Sequence, residues 1–353
     1  MRLAVNAAMV LWALGTLSCK DSSGPAEQLY EPDVRWSEIS AGGGDFTGYT
    51  CGRTDVGKVY CWGDELSAAI VSGPGGETRA PSRLKSGLLF RAIAVGYRHA
   101  CGITTDGAQY CWGDWGFLDF GQEPPTPHRI DSTATYVAIT GRSRSACALT
   151  TAAEAMCWST SVAHAAYGLT RTPTRAGGAL RFKTVTAGHY FGDGFWCGLT
   201  SEGAAYCWGG NTFGTLGDIT RPPLATATQP AAVSGGHVFK TISAGYIACG
   251  LTNAGDVYCW GPEVNYPPFA NNVAGGVVPT KLLNAPVFDT LSVGENHACG
   301  LTSDGKAWCW GRNLVGQLGI SATIWQQHAA RGVRGVEVSL HLRWERYYLR
   351  SHG

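Results

Sequence analysis

Twelve of the thirteen cysteines fall into six pairs: Cys51 and Cys61, Cys101 and Cys111, Cys147 and Cys157, Cys197 and Cys207, Cys249 and Cys259, and Cys299 and Cys309. Within each pair the second cysteine stands ten residues after the first. Cysteines in such a pattern are open to three chemistries: disulfide formation, metal ligation, and packing as reduced thiols. A zinc site would call for close C-x-x-C knuckles or histidines at ligand spacing, and neither accompanies these pairs. The spacing favours structural disulfides, and six of them imply an oxidising compartment.

Other groups capable of chemistry are sparse. His99 and His297 share one position, two residues before the first cysteine of a pair, where a repeated histidine reads as a structural hydrogen-bonding residue. Asp106 and Asp304 fall in T-x-D-G turns, where aspartate caps the backbone with its side chain. The sequence holds no G-x-S-x-G, P-loop, H-E-x-x-H, C-x-x-C or EF-hand motif. No catalytic residue, metal site or cofactor is therefore expected, and the chain reads as non-enzymatic.

The elements that carry the cysteines follow from the residues between them. Cys101 opens C-G-I-T-T-D-G-A-Q-Y-C-W-G, and Cys249 and Cys299 open runs of the same form. Two short apolar runs around a loop ending in Gly suit a hairpin with a type I turn and a left-handed Gly bulge. Counting outward from Thr105–Gly107 sets Thr104 opposite Ala108 and Cys101 opposite Cys111. Opposed residues of a non-hydrogen-bonded antiparallel pair have Cα atoms about 4.5 Å apart, which a disulfide can span. Each bridge is thus expected to staple its own hairpin.

Successive pairs begin 46 to 52 residues apart, a period typical of propellers and solenoids. In the fifth copy, V-F-K-T-I-S-A-G from Val238, the hairpin, and V-V-P-T-K-L-L from Val277 predict a four-stranded antiparallel unit of propeller-blade size. Trp62, Trp112, Trp158, Trp208, Trp260 and Trp310 follow the second cysteine of every pair, and their recurrence predicts packing between blades. The fold class is therefore all-β, with six four-stranded modules.

The pattern A-G-x-x-H-x-C-G-L-T-x-x-G-x-x-x-C-W-G-x-N-x-x-G-Q-L-G resembles the repeat of the regulator of chromosome condensation family. Val293–Gly319 carries it most fully and Trp208–Gly217 keeps its W-G-G-N-T-F-G-T-L-G end. Module three departs from it, with Ala153 in place of the turn Gly and Ser159 in place of the Gly after Trp. The resemblance spans residues 36–319 and implies a β-propeller, seven-bladed in typical members. Its founding member is a nucleotide exchange factor for a small GTPase that also binds chromatin, and another member is a plant UV-B photoreceptor.

The ends of the chain read differently. Met1 and Arg2 precede an apolar run from Leu3 to Leu17, too short for a comfortable membrane span and suited to a signal segment. It closes on T-L-S-C, which resembles a bacterial lipoprotein signal and makes Cys19, the unpaired cysteine, the expected lipidation site. Ordinary signal cleavage and an uncleaved anchor are the alternatives. Residues 1–19 are thus read as the signal and 20–35 as a polar tether, placing an extracytoplasmic protein at a bacterial envelope or in the medium.

After Gly319 the repeat stops, and residues 320–353 are read as an aberrant tail. Read one nucleotide later, its allowed codons can spell T-P-x-x-x-x-G-G-x-x-F-x-x-I-S-A-G-N-x-x-x-C-G-L-T, spaced like module five from Gln229. That reading puts a cysteine at position 349, fifty after Cys299. The tail is accordingly taken as a frameshifted seventh blade, leaving an open or strained ring. With five arginines between Arg331 and Arg350 and no visible β alternation, it is expected to be disordered or a poorly packed helix.

Function falls to what varies between copies. The loops from Glu65, Trp115 and Pro262 differ in sequence, all with prolines and the latter two with aromatics, and on a rigid propeller such loops form the natural recognition surface. Trp115, Phe117, Phe120, Tyr266 and Phe269 are the candidate partner contacts. The net charge of +1 and the lack of basic clusters offer no footprint for nucleic acid. The leading reading is a non-enzymatic binding scaffold for a protein or glycan, touching membrane only through its anchor. The alternative, implied by the resemblance, is a guanine-nucleotide-exchange-factor-like regulator, which export argues against. An envelope hydrolase would need a polar cluster that the sequence does not display.

Overall fold

The computed structural model describes residues 35–331 apart from 45–46, 64–77, 98, 114–125, 132, 143, 160–172, 191–192, 223–225, 263–276, 295–296, 312–317 and 319–325. The described strands build six four-stranded antiparallel sheets, one per cysteine pair. Blade one holds β1 (Trp36–Gly44), β2 (Thr47–Thr54), β3 (Val59–Gly63) and β4 (Thr78–Arg83). Blade two holds β5 (Phe90–Val95), β6 (His99–Thr104), β7 (Gln109–Gly113) and β8 (His128–Asp131). Blade three holds β9 (Tyr136–Arg142), β10 (Ser145–Thr150), β11 (Ala155–Ser159) and β12 (Thr174–Arg175). Blade four holds β13 (Thr184–Tyr190), β14 (Asp193–Leu199), β15 (Ala205–Gly210) and β16 (Thr226–Ala232). Blade five holds β17 (Phe239–Ala244), β18 (Ala248–Thr252), β19 (Val257–Trp260) and β20 (Thr280–Lys281). Blade six holds β21 (Thr290–Val293), β22 (His297–Leu301), β23 (Ala307–Gly311) and β24 (Gln326–Arg331).

Inside each blade the cysteines sit where the hairpin register demands. Cys101 pairs with Cys111 across β6 and β7, and the other five pairs repeat that register. All six are disulfides with Cα atoms 4.0–4.1 Å apart. The turn is fixed by its glycine, whose φ is +84° at Gly57 and +87° at Gly107, a conformation that L side chains rarely adopt. Ala153 takes the same left-handed conformation in blade three, with φ +60°.

Every blade presents two different faces. One carries the disulfide and its aliphatic neighbours, and the other carries the aromatic that opens the inner strand together with the Trp after the second cysteine. In the contact of blades one and two, Cys51, Val59, Cys61 and Leu84 pack on Phe90, Ile93, Val95 and Trp112. In the contact of blades five and six, Cys249, Leu251, Val257 and Leu282 pack on Phe288, Val293 and Trp310. Trp112, Trp158, Trp208, Trp260 and Trp310 are all buried, as packing between blades requires.

Hydroxyl groups latch neighbouring inner strands together. The residue opposite the first cysteine of a blade is often Ser or Thr, and its oxygen accepts a backbone N–H from the next blade. Ser40 accepts from Val95 at 3.1 Å, Thr186 from Ala244 at 3.1 Å and Ser243 from Val293 at 3.0 Å. In blade two the position is Ala94, opposite Cys101, and it has no hydroxyl to offer.

The inner strands β1, β5, β9, β13, β17 and β21 pack in sequence, while β21 and β1 share no packing of that extent among the described residues. The two end faces are correspondingly less covered. Trp36, Ile39 and Trp62 of blade one are half-buried, whereas their counterparts Phe90, Ile93 and Trp112 are 0–1 % exposed. Cys299, Leu301 and Ala307 of blade six are half-buried, whereas Cys249, Leu251 and Val257 are 0–2 % exposed.

One expectation for the tail is corrected. Gln326–Arg331 is a strand, β24, paired with Trp308, Cys309 and Gly311 of β23. The outward edge of β23 presents backbone N–H and C=O groups that need partners, and backbone pairing does not depend on a repeat motif. Residues 332–353, the signal segment with Cys19, and the tether as far as Val34 lie outside the described residues.

Candidate interaction surface

Strand direction sorts the connections onto two ends of the propeller. One end carries the turns between first and second strands and the long loops between third and fourth strands. The other carries the disulfide-stapled hairpin tips and the crossovers between blades. The sequence-variable loops all leave from the first end, at Gly63, Gly113, Ser159, Gly210 and Gly311 and just beyond Trp260. The candidate contacts Trp115, Phe117, Phe120, Tyr266 and Phe269 belong to those loops and lie outside the described residues.

The loop of blade four is described from Asn211 to Pro222, and its construction can be followed atom by atom. Asn211 is buried and works as its hub: its Nδ2 donates to the Pro222 carbonyl at 3.0 Å, and its Oδ1 accepts from the Leu216 N–H at 3.1 Å. Thr215 Oγ1 donates to the Gly210 carbonyl at 2.7 Å, and Leu216 is fully buried beneath the loop. Gly214 and Gly217 have positive φ, and a Cβ at either would come within 2.8 Å of Val277 or the Trp260 ring. The fixed residues of the repeat therefore build a rigid arch against blade five.

On that arch the variable positions face outward. Phe213 is 53 % exposed at φ +55°, and Ile219 is 64 % exposed. A bulky aromatic held at positive φ and in solvent is an unusual expense of conformational energy. The far side of the arch is closed by Asp218, which accepts from the Thr220 hydroxyl at 2.6 Å and its N–H at 3.0 Å, and pairs with Arg221 at 3.4 Å. Burial raises the Asp218 pKa, but the hydrogen bonds from Thr220 and Arg221 outweigh it and hold the group below its ordinary value.

The short turns add polar and aromatic groups to the same end. The Arg144 guanidinium lies 5.9 Å from the Tyr97 ring centre, a cation–π contact between blades two and three. His189 and Tyr246 meet with ring centres 6.5 Å apart, bridging blades four and five. Of these four, Arg144 is exposed, Tyr97 and His189 are half-buried and Tyr246 is buried.

The titratable residues read as structural occupy structural places. His99 is buried, with Nδ1 3.0 Å from the Tyr97 carbonyl, and its own carbonyl accepts from the Tyr49 hydroxyl of blade one. His297 holds the same register position in blade six, pairing with Gly311 as His99 pairs with Gly113. Asp304 caps its turn, held down to about 2 by the Lys306 ammonium and the Thr302 hydroxyl. The Thr104 hydroxyl leads in lowering the pKa of Asp106 in the equivalent turn. Among the described residues no three His, Cys, Asp or Glu side chains are grouped to hold a metal ion, and no helix is long and apolar enough to cross a membrane.

Sequence reasoning missed Phe213. It stands inside W-G-G-N-T-F-G-T-L-G, whose fixed residues draw attention as a repeat signature. The signal was an aromatic at a free position of an otherwise constrained arch.

Comparison with known proteins agrees with this architecture. Residues 90–122 and 288–317 match the family model for the regulator of chromosome condensation (RCC1) repeat. No curated protein matches the chain. Human WBSCR16 superposes with a TM-score of 0.72 at 21 % identity, over 87 % of this chain and 84 % of that one. Prp20p of Saccharomyces cerevisiae, studied with its binding to Gsp1p and histones, superposes with a TM-score of 0.66 at 21 % identity, over 84 % of this chain and 76 % of its own. The described residues thus form an all-β propeller of six four-stranded blades, similar in fold to these two proteins, with two stretches that match the regulator of chromosome condensation repeat.

Proposed function

We propose that this chain is a non-enzymatic binding scaffold that works outside the cytosol, held at a cell envelope through Cys19 or released from it, and engages a protein or glycan with the loop end of its propeller. The observation that carries the reading is Phe213, 53 % exposed at positive φ on an arch held by the buried residues Asn211, Thr215 and Leu216. Such pre-organisation lowers the entropy cost of binding, which is the use a rigid frame can make of a costly conformation. Six disulfides support an oxidising location, where a cytosolic GTPase is not encountered. Prp20p was studied for binding to Gsp1p and histones, so this architecture serves protein recognition elsewhere.

The test is affinity capture from envelope extracts with the parent chain and two variants. One is Phe213→Ser with Ile219→Ser, and the other has loops 114–125 and 263–276 replaced by short turns. Loss of the captured species in either variant supports the loop end as the binding surface. Capture of the same species at the same yield by parent and both variants rejects it.

A further inference from the structure

At five blade crossovers the residue before the inner aromatic lies over the turn of the preceding hairpin. The N–H groups of Phe90, Tyr136, Phe182, Phe239 and Phe288 donate to the carbonyls of Gly57, Gly107, Ala153, Gly203 and Gly255, respectively, at 2.8–3.1 Å. The residues just before these aromatics, Leu89, Thr135, Arg181, Val238 and Val287, therefore stand at one level around the hairpin-tip end. A Cβ on Gly57, Gly203 or Gly255 would come within 3.3 Å of Leu89, Val238 or Val287, so these aliphatics are fixed on their turns.

The aliphatic positions of this ring are open to solvent. Leu89, Val238 and Val287, with Val56 of the first hairpin tip, Val137 at the start of β9 and Leu283 beyond β20, are 40–66 % exposed. Among the described residues the other large apolar side chains this exposed are Phe213 and Ile219 of the arch. Exposed aliphatics scattered singly need no explanation, but six of them at one end of the fold ask for a surface to lie against. A protein hot spot gathers at the centre of a contact, whereas a flat surface meets every position of a ring.

Charge at this end suits a bilayer. Arg91, Lys183 and Lys240 each follow an inner aromatic and are exposed; Arg91 donates to the Tyr136 carbonyl, and Lys240 donates to the Asp289 carbonyl at 3.1 Å. Of the carboxylates, Glu154 is paired with Arg175 and Arg181, Asp256 with Lys281 and Asp304 with Lys306, while Asp55, Asp106 and Glu202 sit in the hairpin turns. Long cationic side chains beside exposed aliphatics are the composition of an interfacial surface. The chain also enters the fold at this end, where the Arg35 carbonyl accepts from the Asp55 N–H of the first hairpin tip at 3.0 Å. On the reading that Cys19 anchors the chain, on which this inference rests, the fifteen residues 20–34 span at most about 54 Å and bring this end to the bilayer first.

We infer that the hairpin-tip end rests on a lipid surface, with Leu89, Val137, Val238 and Val287 at the acyl boundary and Arg91, Lys183 and Lys240 among the headgroups. Val287 then meets lipid, and the loop end with Phe213 faces away from the membrane toward its partner.

The test anchors the chain independently of Cys19. Histidines replace residues 1–19, and nickel-chelating lipid holds the protein on vesicles of phosphatidylethanolamine and phosphatidylglycerol. Bimane is attached at Val287→Cys in one protein and at Phe213→Cys in another, and nitroxide on the acyl chains reads lipid contact. Quenching is expected by about half at position 287 and by less than about a tenth at position 213. Leu89→Ser with Val238→Ser should bring position 287 down to the level of 213. In the chain without an added cysteine, amide exchange in residues 234–238 and 283–287 should slow on the order of fivefold on vesicles, with 211–222 unchanged. Equal quenching at both positions, or none at 287 with unchanged exchange, overturns the inference. So does slowing of those segments by an envelope protein and not by lipid vesicles, which would name a protein as the occupant. Mass analysis of Cys19 in the native chain judges the anchor separately: an unmodified cysteine overturns the anchored reading, while quenching in the histidine-anchored chain judges the face.

Discussion

The indole Nε1 of Trp260 donates a 3.1 Å hydrogen bond to the carbonyl of Thr215, joining the third strand of blade five to the loop arch of blade four. The bond ties the outward-facing Phe213 to the frame of the ring, because Thr215, Leu216 and Gly217 are the foot of the same arch. Trp260→Phe leaves the buried carbonyl without its donor and opens a gap where the pyrrole half of the indole stood, at a combined cost of about 2 to 4 kcal/mol. Chemical denaturation should register that loss, and amide exchange at Leu216 should accelerate; a variant as stable as the parent would show that the bond does not hold the arch.

Blade three departs from the repeat at its turn, where Ala153 adopts φ +60° and its carbonyl accepts from Phe182 at 2.9 Å. An L residue pays for this conformation and glycine does not. Ala153→Gly should raise stability by about 0.5 to 1 kcal/mol, net of the entropy that glycine adds to the unfolded chain. A fall in the thermal midpoint would contradict the account.

The inter-blade latch at Ser243 can be removed without changing either face in bulk. Ser243→Ala strands the Val293 N–H in the interface, a loss of about 1 to 2 kcal/mol, while Ser243→Thr restores an acceptor and should recover most of it. Equal behaviour of the Ala and Thr variants would mean that the hydroxyl carries no weight in blade packing.

The arch also has an acid limit. Asp218 is held below its ordinary 3.8 in the folded chain, so its hydrogen bonds contribute fully above that value and are lost as pH falls through the lower, folded-state pKa. The protection of the Thr220 amide, taken relative to its intrinsic exchange rate at each pH, should therefore fall as pH drops below 3.8 in the parent and be small at every pH in Asp218→Ala. Protection that does not change with pH in the parent would remove Asp218 from the closure of the arch.

Local chemistry made much of this legible in advance. A ten-residue separation with a turn glycine between fixes the pairing of Cys101 with Cys111, because hairpin register is set by the turn alone. The burial of Trp112, Trp158, Trp208, Trp260 and Trp310 followed from recurrence. What escaped was governed by context: β24 forms because the edge of β23 needs backbone partners, a demand that Gln326–Arg331 meet without any motif. Phe213 escaped because its exposure depends on Asn211, Gly214 and Gly217 folding the arch beneath it. The end faces of blades one and six, with Trp62 and Cys299 half-buried, show what a repeat unit loses when no identical neighbour covers it.

The central claim, recognition by the loop end, meets its most direct test in site-specific photocrosslinking within the cells that make the protein. A benzophenone side chain replaces Phe213 in one protein and Val287 in another; Val287 is 66 % exposed beside the hairpin tip of Gly255, at the opposite end. The account predicts a discrete adduct from position 213 and none from position 287. An adduct from position 287 with none from position 213 would contradict it.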